Sequence, residues 1–275
     1  MKTSRALIAN IDCFICEPDS VNAQTETLIC LHGIGGDHTS FAPQLDALAE
    51  HYRVVAWNMP GYQDSTPLAN CSFELLASAL ARFIDALDVG SVHLVGQSIG
   101  GMIAQEMYHR NAQYFSSGKV KSLILVATTA AFGGRDDSFK QAFLEARLKP
   151  LDAGMSMRQI AEAAIPAIVG ENVDAHLIDM AIDSMAGIHA DAYRDVLRCL
   201  VTFDRRTSWQ TIDCPLLLIA GSKDTNAPAA TMKKMADKVP QAEYHELAGA
   251  GHLVNLEKGE EFNNIVRCFL SSIEQ

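Results

Sequence analysis

Apolar residues fall into two kinds of pattern along this chain. Five short runs, TLICLHG (27–33), YRVVAW (52–57), SVHLVGQ (91–97), VKSLILVAT (120–128) and CPLLLIAG (214–221), are nearly continuous and rich in Val, Ile and Leu. Continuous rather than alternating runs of this length read as parallel strands buried on both faces. Between them the period lengthens. FELLASALARFIDALDVG puts Phe73, Leu76, Leu80, Phe83, Ile84 and Leu87 along one helical face and then meets Gly90, where the chain can turn into the next strand. Strand, helix, strand at this rhythm predicts a parallel sheet with right-handed crossovers.

The rhythm breaks over residues 131–208, which hold no strand-like run but carry helical patterns such as SFKQAFLEARL and MRQIAEAAIPAIVG, interrupted at Pro150 and Pro166. This stretch is expected to be a helical insertion between two parts of one core, residues 1–130 and 209–275. Met155, Met157, Met180 and Met185 lie in it, and flexible thioethers suit either a pliable apolar lining or an ordinary helical core. After Pro215 the rhythm resumes with LLLIAGSKD, a helix from about Pro228 to Lys238, the run AEYHELAGAGH and a last helix over Gly259–Ile273.

Length and composition narrow the class of function. At 275 residues, with 48% hydrophobic and 20% charged residues, the chain is long enough for one α/β core. A formal net charge of −11 and the absence of Lys/Arg clusters interleaved with aromatics argue against nucleic acid as a partner. Asn10 and Asp12 cut short the apolar run Ala6–Ala9, and no stretch is long enough to span a bilayer, so a cytoplasmic protein without membrane contact is expected. Seven cysteines, several within apolar runs, fit reduced buried thiols. Cys13 and Cys16 form a CxxC, but a strand would send thiols three positions apart to opposite faces. No second CxxC or nearby His pair completes a metal site, and none is expected.

Candidate chemistry begins at Gly96-Gln97-Ser98-Ile99-Gly100, where the strand SVHLVGQ gives way to a helix-period segment. A sharp strand-to-helix turn strains its central residue and needs small neighbours two positions away, which Gly96 and Gly100 supply. Ser98 is then raised above the carboxyl ends of the strands, where open α/β sheets bind ligands. A serine needs a general base, and the base needs an anion. His252 follows AGAG after the last strand and Asp224 ends LLLIAGSKD on the same rim, whereas Asp213 precedes its strand and lies at the wrong end. His93 and His245 fall in strands and His109 in a helix; His32 is expected to hold the shape of the loop LHGIGG by hydrogen bonding. The backbone N–H groups of Ile99 and Ile34 are the candidate oxyanion donors.

These motifs, LHGIGG, WNMPGYQDS, VGQSIGG, GSKDTNAP and GAGHLVNLE, resemble those of the α/β-hydrolase superfamily in order and spacing over nearly the whole chain. They look most like the group holding 3-oxoadipate enol-lactonases, related esterases and carbon–carbon bond hydrolases. The resemblance implies an α/β-hydrolase fold, a mostly parallel central sheet flanked by helices with an inserted helical cap, and a cofactor-free serine hydrolase of a small carboxylic ester or lactone. Ser98 would attack, His252 relay the proton and Asp224 orient His252. Carbon–carbon bond hydrolysis of a vinylogous keto acid and cofactor-free oxygenase chemistry stay open on the same residues, and a binding module on this scaffold is a further alternative. Asn58 stands where the family commonly has Asp, and Gln63 where it usually has Gly. Gln97 replaces a frequent His beside the nucleophile and is expected to tune packing of the turn. Arg205, with Arg206, is the candidate contact for a substrate carboxylate, and Trp209 is either pocket wall or packing anchor.

Overall fold

The computed structural model describes residues 1–22, 25–133 and 137–273. Its centre is an eight-stranded sheet of order β1-β2-β4-β3-β5-β6-β7-β8. The strands are β1 (Lys2–Ile8), β2 (Ile11–Glu17), β3 (Thr27–Leu31), β4 (Arg53–Trp57), β5 (Val92–Gln97), β6 (Val120–Val126), β7 (Leu216–Gly221) and β8 (Ala242–Leu247). From β4 onward the neighbouring pairs are parallel. The five apolar runs are β3 to β7, and alternate residues enter opposite layers. Leu28 and Cys30 pack into one core, Ile29 and Leu31 into the other.

Helices α1 (Ala42–Leu48), α2 (Phe73–Ala86), α3 (Ile99–Arg110) and the short α4 (Ala112–Ser116) precede β6 or its neighbours in the chain. Four more, α5 (Asp137–Asp152), α6 (Met157–Ala164), α7 (Ala175–Ala186) and α8 (Ala190–Leu200), lie between β6 and β7. The remainder are α9 (Ala229–Ala236), α10 (Val254–Glu257) and α11 (Gly259–Ile273). Leu45 and Leu48 of α1 and Phe262, Val266 and Leu270 of α11 cover one face of the sheet, while α2, α3 and α9 bury their apolar sides on the other. That is the layered arrangement of an α/β-hydrolase fold.

The N-terminal hairpin is the element that the hydrophobic pattern missed. β1 pairs antiparallel with β2 across a two-residue turn in which Ala9 and Asn10 have φ of 49° and 67°, the left-handed geometry that matches strand twist in tight hairpins. Most of β1 is exposed, so it carries little apolar signal. Cys13 and Cys16 on β2 are buried in the two separate cores, on opposite faces of the sheet. Pro150 does not interrupt its helix. It sits in the last turn of α5, where only one backbone hydrogen bond is forfeited.

The segment expected as an insertion includes residues 134–136, which lie outside the described residues. Its two ends meet at an antiparallel bridge between Ala131 and Asp204, flanked by Phe132 N–H to Phe203 O (2.9 Å) and Arg205 N–H to Ala130 O (2.7 Å). Among the described residues no helix is long and apolar enough to cross a membrane.

Candidate active site

The turn at Ser98 follows from the residues around it. Ser98 has φ 55° and ψ −119°, between β5 and α3, a strained conformation for a residue with a side chain. A Cβ on Gly96 would lie 2.5 Å from Gly100 O, and one on Gly100 would lie 2.1 Å from Leu31 O. Both positions therefore need glycine. The strain is held by Ser98 N–H donating to Val126 O (2.9 Å) and by the Thr128 hydroxyl donating to Ser98 O (2.7 Å).

Three elements bring the side chains together at the carboxyl end of the sheet. His252 Nε2 is 3.0 Å from Ser98 Oγ, and His252 Nδ1 is 2.8 Å from Asp224 Oδ2. Asp224 and His252 are buried. Burial of Asp224 works to raise its pKa, but the hydrogen bond and charge of His252 and the N–H groups of Ala227 and Asn226 outweigh it, and the net shift is downward. Both of those N–H groups bond Asp224 Oδ1, at 3.0 and 2.8 Å. The carboxylate is thus ionised, acceptor-only, and gives the Nδ1–H tautomer of His252 its partner.

The backbone of His252 is clamped from three directions. Its N–H donates to Ile168 O (2.8 Å), and its carbonyl accepts from Gln97 Nε2 (2.9 Å). Glu257 accepts from the N–H groups on either side, Gly251 (2.8 Å) and Leu253 (2.9 Å), and from Gly170 (2.8 Å). Gln97 therefore does more than pack: it ties the serine turn to the histidine loop. Glu257 was missed at the level of sequence, and its only signal there was a carboxylate five residues beyond His252 at the end of a short helical stretch.

The loop after β3 supplies Ile34, whose carbonyl accepts from Tyr62 Oη (2.9 Å). Its N–H and that of Ile99 at the first turn of α3 have no acceptor among the described residues. His32 is fully buried; Nδ1 lies 2.7 Å from Gly33 O and Nε2 accepts from Met59 N–H (2.9 Å). It thus shapes the loop.

The two departures from the family pattern have local reasons. Asn58 Nδ2 donates to Asp12 Oδ2 (2.5 Å), so an Asp at 58 would put two buried carboxylates together. Gln63 has φ 48°, where glycine is favoured, and its Nε2 donates to Asp37 Oδ2 (2.8 Å).

Ser98 and His252 open onto a cavity of about 800 Å³ beneath α5, α6 and α7. Phe143, Met180 and Met185 form part of its wall, while Met157 is buried in the core and Met155 is exposed. Arg205 is not at this cavity, contrary to expectation. Its guanidinium makes a forked pair with Glu106, Nε to Oε2 at 2.8 Å and Nη2 to Oε1 at 2.6 Å, which commits that donor edge and the charge to a buried carboxylate. Arg206 reaches the cavity but is paired with Asp204. Trp209 contributes to the wall, but its Nε1–H is taken by Met235 O (2.7 Å), so it packs α9 against the returning chain. His93 is bound to Ser122 and Glu26, and Asp213 to Tyr108, away from the site. Among the described residues no group of three or more His, Cys, Asp or Glu side chains could hold a metal ion.

Comparison with known proteins agrees with this architecture. The chain is 27% identical over 251 residues to 3-oxoadipate enol-lactonase 1 of Acinetobacter baylyi, covering 90% of this chain and 89% of the relative. Among solved structures it is similar to a thermophilic esterase from Thermogutta terrifontis determined with malate bound (TM-score 0.83, 21% identity, 100% of both chains). It is also similar to the enol-lactonase from Burkholderia xenovorans LB400 (TM-score 0.82, 22% identity, 98% of this chain and 100% of the other). The model of the alpha/beta hydrolase family matches residues 28–265, from β3 into α11, and the chain belongs to that family.

Proposed function

We propose that this chain is a cofactor-independent serine hydrolase of a small carboxylic ester or lactone, with Ser98 as nucleophile, His252 as general base and acid, and Asp224 as the anion that orients His252. The observation that carries this reading is the continuous hydrogen-bonded line from Ser98 Oγ through both ring nitrogens of His252 to Asp224, open to the cavity at its serine end. Ser98 Oγ attacks the carbonyl carbon as its proton passes to His252 Nε2. The tetrahedral oxyanion is met by the N–H groups of Ile34 and Ile99, each worth about 3 kcal/mol in the transition state, and by the positive end of α3. His252 then protonates the departing oxygen, and water repeats the sequence on the acyl-enzyme. The names of the enol-lactonase relative and the esterase neighbour support the substrate class. Seven unpaired cysteines support a reducing, cytoplasmic setting.

The experiment is hydrolysis of an ester and lactone panel by Ser98→Ala beside the parent protein, with a fluorophosphonate to label the nucleophile. The expected outcome is a loss of at least about a thousandfold in kcat and labelling at Ser98 alone. Undiminished turnover in Ser98→Ala would leave the serine as a positioning group and overturn the mechanism. Product analysis with a vinylogous diketone separates ester cleavage from carbon–carbon cleavage.

A further inference from the structure

Three glycines near His252 are required for two different reasons. Gly249 has φ 75°, a backbone conformation that side chains disfavour. Gly170 and Gly251 are not in that conformation. What they lack is room. A Cβ on Gly170 would lie 2.0 Å from Gly249 O and 2.6 Å from Gly251 N, and one on Gly251 would lie 2.4 Å from Ile168 O. The stretch between α6 and α7 thus meets the loop between β8 and α10 backbone to backbone, and both glycines serve that contact.

Hydrogen bonds run across the contact in both directions. His252 N–H donates to Ile168 O and Glu171 N–H donates to Gly249 O, each at 2.8 Å. Gly170 N–H and Gly251 N–H donate to the same atom, Glu257 Oε2, also at 2.8 Å. Ser98 and Asp224 are held differently, by Val126, Thr128, Asn226 and Ala227 of the sheet and its own loops. Among the described residues, His252 alone of the three is bonded to the α5–α8 segment. The stretch that holds it is continuous with α6, through Ala167 N–H to Ala164 O (3.2 Å) and Ile168 N–H to Ile165 O (3.1 Å). Ala164, Ile165 and Ile168 also line the cavity. One piece of chain therefore borders the ligand space and supports His252.

We infer that residues 168–171 are a positioning element for His252, with Gly170 as the residue on which their seating depends, so that His252 is aligned only while this stretch is docked. The inference rests on the reading of His252 as general base. Its Nε2 lies 3.0 Å from Ser98 Oγ, and a misplacement of about 1 Å at a catalytic group can cost about a hundredfold in rate. A movement of α6 that widens the cavity takes away the acceptor of His252 N–H and the donor to Gly249 O together. Both losses fall on the four residues that end in His252, and neither falls on Ser98 or Asp224. Opening the cavity on this side therefore disarms the base, and closing it restores the base.

The test is Gly170→Ala, which puts a methyl group between the two backbones at a position outside the cavity wall. Its kcat on a para-nitrophenyl ester should fall by about tenfold to a hundredfold while KM changes by less than about threefold. The rate at which a fluorophosphonate labels Ser98 should fall by a similar factor. Lys223→Gln removes only the exposed pair of Lys223 with Glu171 (2.8 Å) and should change kcat by less than about twofold. A folded Gly170→Ala labelled as fast as the parent overturns the inference, and so does a rise in KM with kcat unchanged. A parent that the fluorophosphonate does not label would instead overturn Ser98 as nucleophile, and amide exchange of the parent then decides the inference without substitution or turnover. The His252 and Glu171 amides, bonded in opposite directions across the contact, should open as one unit, with protection factors within about threefold of each other. Protection of His252 more than about tenfold above that of Glu171 would mean that the histidine loop stays in place when the stretch undocks, and would overturn the inference.

Discussion

His32 shows how one residue at the end of a strand sets the loop that Ser98 faces. Its ring is fully buried, with Nδ1 spent on Gly33 O and Nε2 accepting the Met59 N–H. An imidazolium would turn that second contact into two opposed donors. Burial accordingly lowers the His32 pKa from the ordinary 6.5 to about 4, with the Gly33 carbonyl pulling weakly the other way. Between those two values the unfolded chain binds a proton that the folded chain refuses, so stability falls as the pH falls through this window. Above 6.5 both states are neutral at this ring and below about 4 both are charged, so neither limit adds a further slope. The expected loss is about 3 kcal/mol across the window. Urea unfolding of the parent and of His32→Gln at neutral and mildly acid pH checks it. The variant should start less stable, because the donor–acceptor geometry is imperfect, but its acid-side slope should be shallower by that amount. An identical slope in both proteins would place the acid sensitivity elsewhere.

At the scale of elements, the site depends on how a strand, a loop and a four-residue helix are locked together. Glu257 at the end of α10 accepts three backbone N–H groups, two flanking His252 and one from Gly170 after α6. An amide at 257 has one acceptor oxygen and turns a donor toward at least one of those N–H groups. Glu257→Gln is therefore expected to lower kcat by about tenfold to a hundredfold, with a smaller change in KM and retained helix content. A stopped-assay comparison with circular dichroism distinguishes this from simple unfolding. Which of these features could be read in advance follows from their physics. β3 to β7 are buried on both faces, so their apolar runs are unmistakable, and the serine turn announces itself by the glycines its close packing demands. Ser98, Asp224 and His252 each follow a parallel strand, and for that reason their meeting on one rim was legible too. β1 was hidden because an exposed edge strand has little apolar pattern. Glu257 was hidden because a carboxylate that serves backbone groups has no periodicity. That Arg205 is held by Glu106, 99 residues earlier in the chain, is a contact that no local pattern records.

For the whole molecule, the consequential joint is where the α5–α8 segment leaves and rejoins the sheet. The Ala131–Asp204 bridge closes that neck through backbone alone. Side chains secure it through Glu106, which is almost fully buried on α3, the helix that begins at the serine turn. Its carboxylate holds Arg205 of the returning chain in a fork at 2.8 and 2.6 Å and also bonds Arg110 one turn along the helix. The pairs are unequal in exposure: the Arg205 side chain is 26% exposed and Arg110 41%, whereas Glu106 is 4%. Removing the anion thus leaves one guanidinium half-buried without a partner, while the other returns to water at small cost. Glu106→Gln is expected to destabilise the protein by about 1–3 kcal/mol, seen as a fall of several degrees in the midpoint of thermal unfolding. Arg110→Gln should cost much less, and Arg205→Met in the Glu106→Gln background should recover part of the loss by removing the orphaned charge. A double-mutant cycle on Glu106 and Arg205 that returned no coupling would show that the neck is held by its backbone bridge and packing alone.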